Sequence, residues 1–217
     1  MKFLNIHSHH LDNQESSVYI VNLDEIEIPT KSPFCLGIHP WFIELQSIKN
    51  FERLLQKNHL KDHFFALGEI GLDKKYKNNF DTQSDIFSRQ VQLATDYNIN
   101  ILVIHCIDSF QEIYSILKEK KYLGKILFHD FNGNLEIYNQ FNKTNETYFS
   151  YGASLFTNQK RRDTLKLLPQ DRLFLETDDQ LKYSIENVYE VAAKTLKTDL
   201  DQLLTQLKKN YSQIRKK

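Results

Sequence analysis

Short apolar runs rich in β-branched and aromatic residues recur along the chain, and between the later ones the apolar positions switch to helical spacing. Eight runs read as strands. They are KFLNI from Lys2, SVYIVN from Ser17, FCLGI from Phe34, FFALG from Phe64, INILVI from Ile99, KILFH from Lys125, YFSYGA from Tyr148 and RLFLET from Arg172. Most show little polar alternation, as expected of strands covered on both faces. Helical stripes lie between them. SIKNFERLLQKNHL aligns Phe51, Leu54 and Leu55, and DTQSDIFSRQVQLATDYN aligns Phe87, Val91 and Ala94 behind Asp81 and Thr82 as expected caps. SFQEIYSILKEK, LEIYNQFNK and TNQKRRDTLKLL follow strands five, six and seven, and the tail from Ser184 reads as two helices.

Eight strands alternating with helices predict a distorted (β/α)8 TIM-type barrel, formed as one domain over residues 1–217. About ten residues separate each of the first three strand runs, too few for a crossover helix. The first outer helices are therefore expected to be truncated or missing. A doubly wound open sheet is the alternative, but no Gly-rich phosphate loop follows strand one.

Lys+Arg and Asp+Glu both total 28, giving a formal net charge of zero. That argues against a protein held on nucleic acid by a broad basic surface, though not against an enzyme that grips a few phosphates. Cys35 and Cys106 match no zinc or redox spacing, and Cys35 lies in an apolar run as a small buried hydrophobe. The chain begins directly with a strand pattern and holds no apolar run of bilayer length, so a cytoplasmic location without membrane contact is expected.

The chemistry stands at the strand ends, where barrel enzymes carry it. His7 and His9 end strand one, Glu69 strand four, His105 strand five, His129 strand six and Asp178 strand eight. Strand alternation turns His7 and His9 to one face and His10 to the other. Each residue alone has a plainer reading. A lone histidine is a satisfied core residue, Asp178 with Glu176 is a cap or surface turn, and Glu69 is a partner for Lys74. Six such coincidences on one barrel face favour a single explanation, because buried imidazoles and carboxylates are costly unless paired or metal-bound. Four histidines and two carboxylates suit a two-metal site with a shared carboxylate.

The stretches IHSHH, GIHPW (Gly37 to Trp41), ALGEIGLD (Ala66 to Asp73), FSRQVQLA, LVIHC, LFHDFNG and RLFLETD resemble, in order, the TatD family of metal-dependent deoxyribonucleases, within the wider amidohydrolase-like barrels. The resemblance covers essentially the whole chain. It implies that His7, His9, Glu69, His105, His129 and Asp178 hold the divalent ions. The chain departs from the family pattern in several places. Asn5 stands where Asp is usual and shares a face with His7 and His9; His10 replaces an apolar residue. KKYKNNFDTQ lacks the usual aromatic–Arg pair, HDFNG replaces HCFSG, and Asp179 follows ETD.

The expected activity is hydrolysis of a phosphodiester at a DNA end, using two divalent ions (Mg, Mn or Zn) to activate water. Glu69 and Asp178 are the expected catalytic residues, Glu69 shared between the ions and Asp178 positioning or deprotonating the water. His39 and Lys74 are the candidate substrate contacts; the plainer reading of His39 is a turn histidine before Pro40. Trp41 is a candidate for base stacking or a rim aromatic. Lys160, Arg161 and Arg162 read as a solvated helix face, able to meet phosphates only if their helix starts near the barrel mouth. Two alternatives stay open: a hydrolase of a small amide, lactone or phosphoester on the same frame, and a non-catalytic metal-binding protein.

Overall fold

The computed structural model describes residues 3–11, 16–21, 23, 26–44, 47–76 and 79–216. Lys2, Asn22 and the Lys77–Asn78 pair, which the sequence assigned to strand runs and to the stretch after GLD, lie outside the described residues. The first half of the barrel holds β1 (Asn5–Ser8), β2 (Ser17–Ile20), β3 (Phe34–Leu36) and β4 (Phe64–Asp73). The second half holds β5 (Ile101–Ile107), β6 (Lys125–Phe128), β7 (Thr147–Tyr151) and β8 (Leu173–Leu175). All neighbours pair in parallel in chain order. A bridge between Ser8 and Asp178 brings the last strand back to the first. The sheet is a nearly closed barrel, as the alternating pattern predicted.

Among the described residues no helix lies between β1 and β2 or between β2 and β3, so the expected bare front is present. The outer layer starts with α1 (Ile48–Asn58) and continues with α2 (Phe80–Asp96), α3 (Phe110–Glu119) and α4 (Leu135–Phe141). After β7 come a one-turn α5 (Ser154–Thr157) and α6 (Gln159–Leu167), and the chain ends in α7 (Ile185–Leu196) and α8 (Leu200–Ile214). One detail differs from the sequence reading. The N-cap of α2 is Asn79, whose side chain accepts the N–H groups of Asp81 and Thr82 at 2.8 and 3.3 Å. Asp81 and Thr82 are therefore capped residues rather than caps, because the helix starts at Phe80 and Asn79 holds the extended backbone a cap needs.

Alternation along β5 shows how the layers divide. Ile101 and Val103 join the inner core with Leu127, Tyr148 and Phe174, whereas Leu102, Ile104 and Cys106 pack outward under the helices. Cys106 thus faces the helical layer, and Cys35 sits fully buried among the inner residues. His105 continues the inward row of β5 and so reaches the barrel mouth. At the other end α8 supplies Ile214 to the inner core. The Lys125 ammonium donates to the carbonyls of Gln213 and Ile214, both at 3.0 Å, satisfying groups that a helix C-terminus leaves open.

Two features of the frame bear on the mouth. Gly71 has φ +150°, and a Cβ there would lie 1.9 Å from the carbonyl oxygen of His105. Only glycine lets β4 approach β5 that closely. On α2, Gln83 and Gln90 lie two turns apart, and each clasps a strand end. Gln83 accepts the Asp73 N–H at 2.8 Å and donates to the Asp73 carbonyl at 3.0 Å. Gln90 does the same for Ile38, at 2.7 and 3.0 Å. Both glutamines are buried, so one helix fixes the chain on either side of the site.

Candidate metal centre

Glu69 stands at the centre of the mouth with its two oxygens facing different groups. Oε1 lies 2.7 Å from His129 Nε2, 2.8 Å from His105 Nδ1 and 3.0 Å from His39 Nε2. Oε2 lies 3.1 Å from His7 Nε2 and 3.2 Å from His9 Nε2. Asp178 Oδ1 completes the second group, 3.5 and 3.4 Å from the same nitrogens of His7 and His9. All six residues expected to hold metal therefore meet in one cluster, with His39 beside them. His10 turns away, and its Nε2 lies 3.1 Å from the carbonyl of Asp179.

The donor set fits divalent cations. His105 Nδ1 and His129 Nε2 are 3.0 Å apart, and His7 Nε2 and His9 Nε2 are 3.4 Å apart, each pair aimed at one carboxylate oxygen. Protons on both members of a pair would face each other, whereas converging lone pairs suit a cation. The rings of His7 and His129 also stack 4.3 Å apart, where two imidazoliums repel each other and only the facing carboxylates hold both protons. Among the described residues three subsets lie within metal-binding reach: His7, His9, Glu69 and Asp178; His7, His129 and Glu176; and His39, Glu69 and His105.

The outward nitrogens separate ligands from a hydrogen-bond donor. His105 Nε2 faces Asp73 Oδ2 at 3.3 Å, leaving Nδ1 to the cluster. His129 Nδ1 makes no hydrogen bond among the described residues and lies 3.5 Å from Glu176 Oε1 as an ion-pair contact, with Nε2 toward the cluster. Glu176 is fully buried; it accepts the N–H of Asp130 at 2.9 Å and the hydroxyl of Ser150. Carboxylates behind ligating histidines fix tautomer and ring orientation. His39 behaves differently. Its Nδ1 accepts the Trp41 N–H at 3.2 Å, so a neutral ring carries its proton on Nε2 and donates to Glu69. Burial lowers its pKa, which favours that neutral form.

The electrostatics centre on Glu69. Burial alone would raise its pKa, but His129, His39 and His7 hold it well below the usual range. Burial and His129 push His7 down, yet Glu69 and Asp178 outweigh them and lift it to about 9. Burial also opposes the charged forms of His129 and His105. Glu69 with Glu176 raises His129, and Asp73 with Glu69 raises His105. Asp178 and Asp73 are each raised by burial and lowered further by their hydrogen bonds, from His7 and from His105 with Trp41. The cluster gathers carboxylate charge strong enough to hold protons on buried imidazoles, the same charge that holds metal ions.

Other expected residues fall elsewhere. Lys74 pairs with Glu112 at 2.5 Å, outside the lining of the central cavity. Asn5 spans to the end of β8: its amide donates to Thr177 Oγ1 at 2.8 Å and accepts the Thr177 N–H at 3.1 Å. An amide both gives and takes here, which a carboxylate does not. Arg161 is not on a solvated face. It bonds the Phe131 carbonyl and lies 3.6 Å from Asp130, because α6 starts beside the mouth. Arg162 likewise reaches the Leu155 carbonyl at 2.6 Å. Asp73 and Glu176 were missed as site residues. Their only sequence signal was an acid in the same motif as a ligand.

A cavity of about 400 Å³ opens over the cluster. Its other wall is apolar, built from Ile20, Val21, Leu23, Trp41 and Phe42. No described helix is long and apolar enough to cross a membrane.

Comparison with known proteins bears on family and fold. The family model described as TatD related DNase matches residues 5–216. The Bacillus subtilis protein named uncharacterized metal-dependent hydrolase YabD is 37% identical over 118 residues, 52% of this chain and 45% of its own length. The 3'-5' ssDNA/RNA exonuclease TatD of Rahnella sp. is 32% identical over 128 residues, 52% of this chain and 44% of that protein. These alignments span about half the length of the curated relatives. Among solved structures, the TatD homolog YJJV of Escherichia coli K12 shares the fold with a TM-score of 0.78 at 19% identity, covering 98% of this chain and 97% of that one. On the family match across nearly its whole length, the chain belongs to the TatD-related DNase family.

Proposed function

We propose that this chain is a metal-dependent hydrolase that cleaves phosphodiester bonds at a DNA strand end, using two divalent ions (Mg, Mn or Zn) held by His7, His9, Glu69, His105, His129 and Asp178. One observation carries the reading: the two oxygens of a single buried carboxylate, Glu69, each face their own set of imidazoles. The names of the relatives, a metal-dependent hydrolase and an exonuclease on single strands, point the same way. The reading carries a cytoplasmic location with it, in keeping with two buried free thiols.

Divalent ions in such a site polarise a phosphoryl oxygen and lower the pKa of water. The residues divide the remaining work. Glu69 is buried with both oxygens engaged, so it acts as a fixed shared ligand rather than a proton carrier. Asp178 is 38% exposed and held ionised, so it is the carboxylate that accepts a proton from an attacking water at the cavity. His39 points its Nε2–H into the cluster and donates to Glu69 or to an incoming phosphate oxygen. Lys74 reaches a phosphate only by leaving Glu112.

The test is cleavage of an end-labelled single-stranded oligonucleotide with added Mg or Mn. Shortening is expected, abolished by chelator and by Asp178→Asn. Uncut strands from a chain that still binds metal would leave a hydrolase of small amides, lactones or phosphoesters as the reading to pursue.

A further inference from the structure

We propose that Trp41, backed by Tyr76, is a stacking platform that seats the terminal nucleobase of the strand. The inference rests on the nucleic-acid reading and narrows it.

Three large aromatics stand open on the rim: Trp41 is 42%, Phe42 45% and Tyr76 40% exposed. Core packing does not require them there. Trp41 and Tyr76 are nearly parallel, 12° apart with centroids at 5.2 Å. Both are fixed by one carboxylate. Asp73 Oδ2 accepts the Trp41 indole N–H at 2.8 Å, and Oδ1 accepts the backbone N–H groups of Lys75 and Tyr76 at 2.8 and 3.2 Å. The same Oδ2 lies 3.3 Å from His105 Nε2. Asp73 therefore sets the aromatic pair in register with a residue of the metal cluster. The indole meets the rings of His105 and His39 in T-shaped contacts, with centroids 5.7 and 4.9 Å apart, so a base seated on it lies beside the cluster.

The cavity shape agrees. Trp41 and Phe42, with Ile20, Val21 and Leu23, form the apolar wall opposite Glu69 and His129. An apolar wall facing a polar cluster matches a nucleotide, which has a flat apolar face at one end and an anion at the other. The charge balance makes stacking necessary. With a net charge of zero and with Asp178 and Asp179 lining the same cavity, counterion release supplies little affinity. Stacking on an aromatic side chain supplies it instead, without regard to sequence.

Trp41 is the sole tryptophan, so its emission reports the platform directly. The full chain is titrated with 2'-deoxyadenosine 5'-monophosphate and, separately, with 2-deoxyribose 5-phosphate. Saturable quenching by the nucleotide alone is expected. Equal quenching by both, or by neither, overturns the proposal. In kinetics on a single-stranded oligonucleotide, Trp41→Ala should raise KM on the order of ten- to a hundred-fold with kcat little changed. Trp41→Phe keeps a ring, loses the bond to Asp73 and should retain most of the affinity. On a strand ending in an abasic residue, Trp41→Ala should match the parent. A fall in kcat with unchanged KM in both variants would make Trp41 a strut for His105 and sink the platform. Should Trp41→Ala misfold, Tyr76→Ala carries the same KM test. Base-dependent quenching by a chain that cuts no strand would uphold the platform and remove the nuclease reading instead.

Discussion

Asp178 is joined to His7 twice, once through the side chains and once through the backbone. Its N–H donates to the His7 carbonyl at 3.0 Å, and the His9 N–H returns a bond to the Asp178 carbonyl at 3.2 Å. Asp178 adopts φ 55°, the left-handed region that non-glycine residues enter sparingly and that Asp tolerates better than most. The stitch that closes the barrel is thus made by three residues of the candidate metal site. Closure of the fold and assembly of the site are one structural event.

Asn5 reinforces that stitch from one residue pair away. Asn5→Ala leaves the Thr177 N–H without its acceptor and should cost about 1–3 kcal/mol of stability. Metal affinity should fall with it, because Thr177 precedes Asp178. Urea unfolding alongside a metal titration checks this; lost stability with full affinity would show that closure and site are separable.

The histidine pair and its neighbour give a sharper contrast. His9 faces Glu69, whereas His10 is exposed and bonds the Asp179 carbonyl. His9→Ala should lower bound metal per chain, and His10→Ala should leave it intact. Elemental analysis of the purified variants decides, and equal losses would mean that the register of β1 is misassigned.

Stability should depend on pH in opposite senses with and without metal. Without metal, Glu69 and Asp178 lift His7 from its usual 6.5 to about 9, and the neighbouring carboxylates also raise His105 and His129. A raised imidazole contributes stability in full below the unfolded value, and loses it as pH climbs through the folded one. His39, lowered by burial, works the other way but is a single group. Glu69 contributes above the unfolded carboxylate value of 4.5 and loses its contribution only at more acidic pH, through its depressed folded value. Chelator-treated protein should therefore lose Tm between about pH 6.5 and 9. Metal binding displaces those protons, so the loaded chain should gain over the same window. Thermal scans with and without chelator test both signs.

The two glutamines of α2 make a stability prediction that reaches the site. Gln83→Leu leaves the buried N–H and carbonyl of Asp73 unpaired, at about 1–3 kcal/mol for each group. Gln90→Leu does the same at Ile38. Only Gln83→Leu should also disturb the aromatic pair, read as a shift in Trp41 emission, since Asp73 holds the indole.

The parts of this molecule legible in its sequence are those written at short range. Strand runs end in His7, Glu69, His105, His129 and Asp178, and the alternation of a strand is enough to aim His7 and His9 together. Asp73 and Glu176 escaped because their roles are set by neighbours across the barrel. Asp73 meets Trp41 and His105, 32 residues away on either side, and Glu176 meets His129 and Ser150. Arg161 escaped for the same reason. Only the placement of α6 shows that its guanidinium turns to Asp130 and the Phe131 carbonyl. His39 needed a tautomer, and the deciding atom is a backbone N–H two residues on.

The gap between Gly71 and the His105 carbonyl is narrower than a methyl group. Even alanine, the smallest possible enlargement, has to push β4 off β5 and carry a cluster histidine with it. Within GEIGLD, Gly71 is therefore as constrained as the acid two places before it. Mutational drift that spares the acid but fills this gap should dismantle the centre just as surely, and anyone redesigning the barrel for another substrate should hold Gly71 fixed before choosing what to vary.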